Sequence, residues 1–545
     1  MKKIRIKNVK TLGDTGDVAL APITLLVGKN SSGKSTFLRT FPLIKQSIRK
    51  STDGPLLWAG DVDDYVDFGS FAETVTDGLV QDKSVKFDFN FELNLKRDRY
   101  YFGLLKEALK NTDVCEVNYS IAISQVGRKE YVSRLAVNFC NTNFVFDMNP
   151  NPRDVNVIVD GICLSVGKKS FSRKIFTPFD DERRSIFGFE LPPIDIFLDF
   201  MNIPLLADDS ASFGVTLENF GFENFFMPFT RREIAMQIVG ECLCKGVPMS
   251  LFSIDLFDTR AKNDKEIVNY MLKIVEQLNK LDEEQLAKSI VVLKLIYFYG
   301  CFSIMDKYIE DYFRQVHYIA PLRATAERYY RLRNVSIDEV DYQGKNLAIF
   351  LDGLRRNNQL FDFNQWTDEF LGFHVRPEID GGHLSIQVGW CGKEKSTNLS
   401  DTGFGFSQIL PIVTQLWEIV TKKPRANNQR RNSWNIPLVL AIEQPELHLH
   451  PALQADLVEA FINSIVLAKK NRYSLQLILE THSETIVNYF GRSIAKNRID
   501  GKDVSVVLFD KDSYALTKVK ASGFDRNGYL LDWPIGFFSV RSRNI

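Results

Sequence analysis

The sequence predicts an α/β fold whose two halves are separated by an antiparallel β lobe and a large, mostly helical insertion. Three observations predict it. The apolar run Ile23–Val27 leads into a glycine-rich segment, Gly28-Lys29-Asn30-Ser31-Ser32-Gly33-Lys34-Ser35-Thr36, and a helical pattern follows to Ile48. A second apolar run, Leu438–Ile442, ends in acids hundreds of residues later. Between the two, apolar residues first alternate with period two and then recur with helical spacing. An N-terminal strand that must pair with C-terminal strands makes the middle an insertion into one α/β unit. The expected divisions are 1–177, 178–333 and 334–545.

The chain begins Met1-Lys2-Lys3-Ile4-Arg5-Ile6-Lys7, alternating charged and apolar side chains as a strand does. No apolar core follows it, so it does not read as a signal peptide. Residues 28–35 read G-x-x-x-x-G-K-S in the strand–loop–helix context of a P-loop. Gly28 and Gly33 let the backbone bend so that successive N–H groups face phosphate oxygens. Asn30, Ser31, Ser32 and Thr36 complete the cradle, and the helix N-terminus adds partial positive charge. Lys34 is placed to reach the β- and γ-phosphates and Ser35 to ligate Mg²⁺. ATP and Mg²⁺ are therefore the expected cofactors. Pro42 is expected to kink or shorten the helix.

The Asp- and Gly-rich segment Trp58–Thr76 reads as loops. Period-two runs follow at Val85–Leu93, Cys115–Ser124, Tyr131–Phe139 and Val155–Val159, which predict an antiparallel sheet with one wet face. From about Pro178 to Arg333 helical spacing dominates, notably in Glu266–Leu281 and Glu283–Tyr299. Ile267, Met271, Ile274, Val275, Leu278 and Leu281 form the stripe of a packed helix. No heptad run is long enough for an extended coiled-coil arm.

Composition excludes little. The chain is 45% hydrophobic and 25% charged, and 68 Lys plus Arg balance 68 Asp plus Glu. That balance gives no global argument for nucleic acid or an anionic membrane. Seven cysteines in 545 residues form no framework. The closest pair, Cys242 and Cys244, lacks zinc-finger partners, so reduced thiols of a cytoplasmic protein are expected. The most apolar segment, Ile290–Met305, contains Lys294 and is too short to span a bilayer. No membrane partner is expected.

After Trp366 the elements shorten. A hairpin is expected around Asp380-Gly381-Gly382. Then come a helix (Phe404–Thr421), a basic loop (Lys422–Asn435), a strand (Ile436–Ile442), a helix (Pro451–Ala468), a strand (Leu475–Leu479) and a helix (Ser483–Lys496). The run Leu438 to Glu446 has the form of a Walker B strand, an apolar parallel strand with a carboxylate at its C-terminal end. That acid, Glu443, is the expected Mg²⁺ ligand beside Ser35. His482 closes the next apolar strand, where a sensor of the γ-phosphate would sit. His448 and His450 lack an obvious third metal ligand, so a structural or dimer-contact role is preferred. The loop Leu399 to Gln408 offers Ser400, Gly403 and Gly405 at a helix start. Alone it reads as a helix cap. In order between P-loop and Walker B, it has the position of a signature loop reaching a partner subunit's nucleotide.

These motifs resemble the ABC-type ATPases of the SMC, RecF and OLD branch of the AAA-family ATPases. More narrowly, they are similar to the ATPase subunits of Septu and retron-associated Septu-like anti-phage systems. The resemblance rests on the P-loop, Val66–Phe71, Tyr318–Arg323, Gly403–Gln408, Glu443–Pro451, Thr481–Ser483 and Trp533–Phe538. It implies an ABC-type head that dimerises, or forms a higher homo-oligomer, around ATP. Lys34, Ser35, Glu443 and His482 of one copy would then face Ser400, Gly403 and Gly405 of another. It further implies a separate HNH-type nuclease partner, with a retron reverse transcriptase and its RNA–DNA hybrid as a further one. The chain after His482 lacks room for the Toprim nuclease domain that OLD-type relatives carry. The alternative is a RecF-like or SMC-like DNA-repair ATPase that binds DNA without a nuclease. Lys422-Lys423-Pro424-Arg425 with Arg430-Arg431 is equally a candidate phosphate contact and a solvated loop.

Two departures from the family pattern matter. The place after the Mg²⁺ acid holds Gln444, a poor proton acceptor. Either Gln444 orients the water or Glu446 supplies the base, and slow turnover with tight ATP retention is expected. No Q-loop glutamine is evident before the insertion; the Asp67–Gly69 loop is the candidate for its place.

Overall fold

The computed structural model describes residues 1–50, 52, 54–61, 63–76, 83–94, 114–139, 142–150, 155–166, 185–187, 291, 295, 298, 302, 304–331, 337, 339–390, 392, 395–421, 436–511 and 516–532. The chain divides into two compact units. One comprises 1–51, 56–85 and 311–545; the other comprises 52–55 and 86–310.

In the first unit, β1 (Lys3–Val9) pairs antiparallel with β2 (Leu12–Asp14) and β3 (Val18–Ala19). Next come β4 (Ile23–Gly28), α1 (Lys34–Arg49) and the one-turn α2 (Phe71–Thr74). All six residues of β4 are buried, which is why its sequence is apolar without alternation. Helix α1 runs through Pro42 to Arg49, so the expected shortening does not occur. Its buried Phe37, Phe41, Leu43 and Ile44 outweigh the hydrogen bond that Pro42 cannot make. The segment Trp58–Thr76 is not all loop. Ser70 and Glu73 form a capping box that starts α2.

The second unit contains an antiparallel sheet of β5 (Val85–Asn94), β6 (Val114–Val126), β7 (Lys129–Phe139), β8 (Thr142–Met148), β9 (Val155–Val159) and β10 (Ile162–Val166), each pairing with the next. Exposed and buried residues alternate along the first half of β6, as period two requires. Strands β8 and β10 were not foreseen. Asp160 and Gly161, at φ 49° and 86°, make the two-residue turn into β10. Phe87, Phe89, Phe91, Phe139 and Phe146 are fully buried. Helical residues Phe298 and Tyr308 stack on them, with Tyr308 4.3 Å from Phe91 between ring centroids. The rest of the helical insertion, including Glu266–Leu281, most of Glu283–Tyr299, Cys242 and Cys244, lies outside the described residues. So do the basic loop 422–435 and the segment Trp533–Phe538.

Back in the first unit come β11 (Val316–Ile319), β12 (Tyr330–Arg331), α3 (Leu347–Arg356), α4 (Leu360–Leu371), β13 (Phe373–Asp380), β14 (His383–Trp390), β15 (Thr397–Asn398) and α5 (Phe404–Thr421). They are followed by β16 (Leu438–Glu443), α6 (Pro451–Lys470), β17 (Leu475–Thr481), α7 (Glu484–Ala495), β18 (Val504–Lys511) and β19 (Thr517–Ser522). The β13–β14 hairpin turns at Gly381 and Gly382, both at positive φ, as its sequence foretold. The central sheet has the order β11-β16-β17-β4-β18-β19. It is parallel except for β19. The fold is therefore α/β with an antiparallel lobe, and β4 does reach across the chain to pair with β17 and β18. Helix α6 is the one described helix long and apolar enough to cross a membrane, yet half of it is buried in this core.

Candidate functional site

Parallel strands point their C-terminal ends one way, and in such sheets ligands bind there. Here β4 ends at Gly28, β16 at Glu443 and β17 at Thr481, and Glu443 lies in register opposite Glu480. The sheet topology therefore gathers the P-loop and the strand-end acids at one edge.

The loop after β4 has the backbone of an anion cradle. Ser31 and Gly33 adopt φ of 58° and 93° on either side of Ser32, an alternation that turns successive N–H groups to one side. The glycines are required by close packing as well. A Cβ on Gly28 would lie 2.2 Å from the Phe509 carbonyl oxygen, and one on Gly33 would lie 2.8 Å from Leu12. Thr517 Oγ1 braces the loop by donating to the Ser32 carbonyl at 2.9 Å. The buried Ser32 hydroxyl has no hydrogen-bond partner among the described residues. Asn30 and Ser31 are exposed, and Thr36 is half-buried on the first turn of α1.

Lys34 donates from Nζ to the Gly28 and Lys29 carbonyls, each at 2.8 Å. Burial lowers its amine to about 8, against the pull of Glu480 and Glu446. Ser35 Oγ donates to Glu480 Oε1 at 2.8 Å. Glu443, by contrast, is fully engaged. Arg39 Nε and Tyr318 OH donate to its Oε1, each at 2.7 Å, and Arg39 Nη2 donates to its Oε2 at 2.8 Å. Arg39 and Glu480 were not singled out from the sequence. Arg39 follows Ser35 by one helical turn, which is the signal that could have found it.

Gln444 sits at φ 43°, a strained position for a non-glycine residue. Its N–H donates to the Glu480 carbonyl. The Glu443 carbonyl accepts from Arg323 Nη2 at 2.9 Å. Arg323 is buried, its Nε and Nη1 have no hydrogen-bond partner among the described residues, and burial lowers it to about 10. Glu446 accepts from the His482 N–H at 2.7 Å and from Thr481 Oγ1 at 2.9 Å. Burial raises its carboxyl above the usual range. Burial and the neighbouring Glu443 push Glu480 up to about 7. Burial and then Lys34 push His482 down to about 4, so its imidazole is neutral at pH 7.

The other sequence candidates fall elsewhere. Ser400 donates from N and Oγ to Asn398 Oδ1, and a Cβ on Gly405 would approach the His448 carbonyl at 3.2 Å. Gly403 has φ 84° just before α5. Among the described residues, no hydrogen bond joins these three to residues 28–36. His450 caps α6, its Nδ1 accepting from the Ala452 N–H. Asp67 accepts from Gly69 N and Gly60 N within its own loop.

The donor set fits a nucleoside triphosphate with a hard cation. It has a loop of N–H groups, a lysine, a serine hydroxyl beside a carboxylate, and an orphaned carboxylate oxygen on Glu480. No group of three His, Cys, Asp or Glu is poised for a metal among the described residues. Mg²⁺ in phosphate sites needs none, because it keeps waters and phosphate oxygens as ligands.

An AAA ATPase domain model matches residues 302–487, a span that holds Glu443, Gln444, Glu446 and His482 but not the P-loop. No curated protein matches the chain. Among solved structures, the SMC head domain from Thermotoga maritima is 9% identical, covers 95% of this chain and 97% of its own, and has a TM-score of 0.31. The recombination mediator protein RecF with ATPrS is 12% identical over 95% of this chain and 97% of its own, with a TM-score of 0.22. Neither likeness carries weight at such scores. Residues 302–487 match an AAA ATPase domain, and the chain is an ATPase.

Proposed function

We propose that the chain is a slow ATPase acting as a nucleotide-gated clamp, in which two copies close around ATP. The observation that supports this best is a separation. Lys34 and Ser35 meet the strand-end acids within one copy, whereas the loop bearing Ser400, Gly403 and Gly405 makes no hydrogen bond to the P-loop of its own chain. A helix N-terminus with an open glycine loop suits an anion, and a second copy would bring one. Exposed Phe404 at the start of α5, 64% accessible, suits the same contact.

In this reading Lys34 contacts the β- and γ-phosphates. Ser35 with a strand-end carboxylate holds Mg²⁺, whose charge would offset that of the phosphates. Neutral His482 senses the γ-phosphate by a hydrogen bond. Gln444 or Glu446 positions the attacking water. Turnover is slow because an amide accepts a proton poorly and both Glu446 oxygens are already engaged. Both copies contact the γ-phosphate, so its loss removes the differential affinity that favours the closed pair.

The motif resemblance adds the setting: an anti-phage defence system, with a separate HNH-type nuclease held or released by the clamp and a retron reverse transcriptase as a further partner. One experiment tests the clamp. Sedimentation of the purified chain with ATPγS should show self-association that Lys34→Ala abolishes. Self-association indifferent to both would overturn the proposal. Copurification of a nuclease would support the defence setting, and autonomous ATP-dependent DNA binding would favour a repair ATPase instead.

A further inference from the structure

The geometry points to Glu480 on β17, rather than Glu443 on β16, as the carboxylate that joins Ser35 in holding the divalent cation. The inference rests on the ATPase reading above and deepens it. The two acids occupy equivalent places, opposite one another at the ends of adjacent parallel strands. Each is only 2% exposed. They differ in what surrounds them.

Glu443 is neutralised within the chain. Arg39 engages both of its oxygens and Tyr318 donates to one of them. A paired, fork-like guanidinium contact is the strongest hydrogen-bonded arrangement open to a carboxylate, and a cation would have to displace it. Glu480 has no such partner. Its Oε1 accepts from Ser35 Oγ at 2.8 Å, and its Oε2 is buried with no hydrogen-bond partner among the described residues. Lys34, a cation that acts on it, is held by the Gly28 and Lys29 carbonyls. A buried carboxylate oxygen without a partner is costly, and such atoms in a folded protein call for an explanation. A hard cation that takes oxygen ligands supplies one. The Ser35 hydroxyl and the Glu480 carboxylate already stand together as such a ligand pair, with phosphate oxygens and water left to fill the shell.

The sequence motif alone points one strand away, because an apolar run ending in Glu-Gln-Pro-Glu matches the expected pattern and Leu-Glu-Thr-His does not. Only the pairing of β17 with β4 brings Glu480 to Ser35. Glu443 then acts as a positioning residue. It anchors Arg39 on α1, and so holds the helix that presents Ser35.

The test uses the full chain. Mn²⁺ is titrated in the presence of ATPγS, with free Mn²⁺ read by electron paramagnetic resonance, and nucleotide capture is measured separately in EDTA. E480Q should lose Mn²⁺ affinity by well over about 100-fold, while E443Q should lose roughly 10- to 100-fold, as a bracing group does. Nucleotide capture in EDTA shows for each variant whether the loss lies in the metal or in the nucleotide. Thermal melting checks that each variant is folded. Should E480Q fail to fold, E480D, which keeps the charge but retracts the carboxylate, should still rank below E443Q in Mn²⁺ affinity. The reverse ranking, or E480Q binding Mn²⁺ as wild type does, would overturn the inference while leaving the ATPase reading intact. Failure of the wild-type chain to capture ATPγS in either condition would overturn both.

Discussion

Two buried acidic sites, one in each unit, solve the same physical problem in opposite ways. In the lobe, Asp306 is surrounded by neutral donors that use it fully. Tyr119 OH and Ser185 Oγ donate to its Oδ1, and the Ile186 N–H donates to its Oδ2. In the α/β unit, Glu443, Glu446 and Glu480 crowd around Lys34, Arg39 and Arg323, yet Glu480 Oε2, Ser32 Oγ and two Arg323 nitrogens find no hydrogen-bond partner among the described residues. A satisfied polar cluster rigidifies a core, and an incompletely satisfied one costs stability unless something else completes it. The contrast teaches where to look for a ligand: at the cluster that is left open, rather than at the one with the most buried acid.

The largest expected effect on stability should come from breaking the closed cluster. Asp306→Ala strands three donors and should cost about 3–4 kcal/mol of lobe stability in denaturant unfolding. Nucleotide capture should not change, since residues 28–36 and 443–482 belong to the other unit. A matching loss of capture would break the comparison.

The second effect is on pH dependence. Burial pushes the Asp306 carboxyl up to about 6 from 3.8. Between those values the folded lobe holds a proton that the unfolded chain has released. The stability from this group is therefore full below pH 3.8 and is lost as the pH rises through 6. The difference between wild type and Asp306→Asn across this window should be about 2–3 kcal/mol, read by urea unfolding at each pH. A difference of the opposite sign would show that Asp306 is charged in the folded lobe.

The smallest effect sharpens the contrast. Glu480→Gln should leave stability within about 1 kcal/mol of wild type, or raise it, because a neutral amide replaces a buried carboxylate with one partner. A loss as large as that of Asp306→Ala would mean that the open cluster is structural after all.

Much of this arrangement was legible in the sequence, for identifiable reasons. The P-loop, the β13–β14 hairpin and α5 depend on local chemistry: glycines at positive φ, turn residues and periodicity. Strands β5 to β7 announced themselves by alternation over long runs. Strands β8 and β10 are short, and the Asp160-Gly161 turn between β9 and β10 was the overlooked signal. Strands β18 and β19 lie between Thr481–Ser483 and Trp533–Phe538 and carry no motif. Glu480 and Arg39 were missed for a different reason. Their significance lies in the Ser35 and Glu443 atoms they touch, and those contacts cross more than 400 positions of chain (445 for Ser35–Glu480 and 404 for Arg39–Glu443). No local pattern encodes such a meeting.

The place of β4 between β17 and β18 has a consequence for biogenesis. The strand emerges from the ribosome first among the six of its sheet, but its two neighbours are translated last but for one hairpin partner. At about 5–20 residues per second, it waits from tens of seconds to over a minute for them. Throughout that interval an all-apolar strand ending in an unfinished loop must be shielded from other nascent chains. Nucleotide capture can thus mature only after Phe509, whose carbonyl packs against Gly28, has been made.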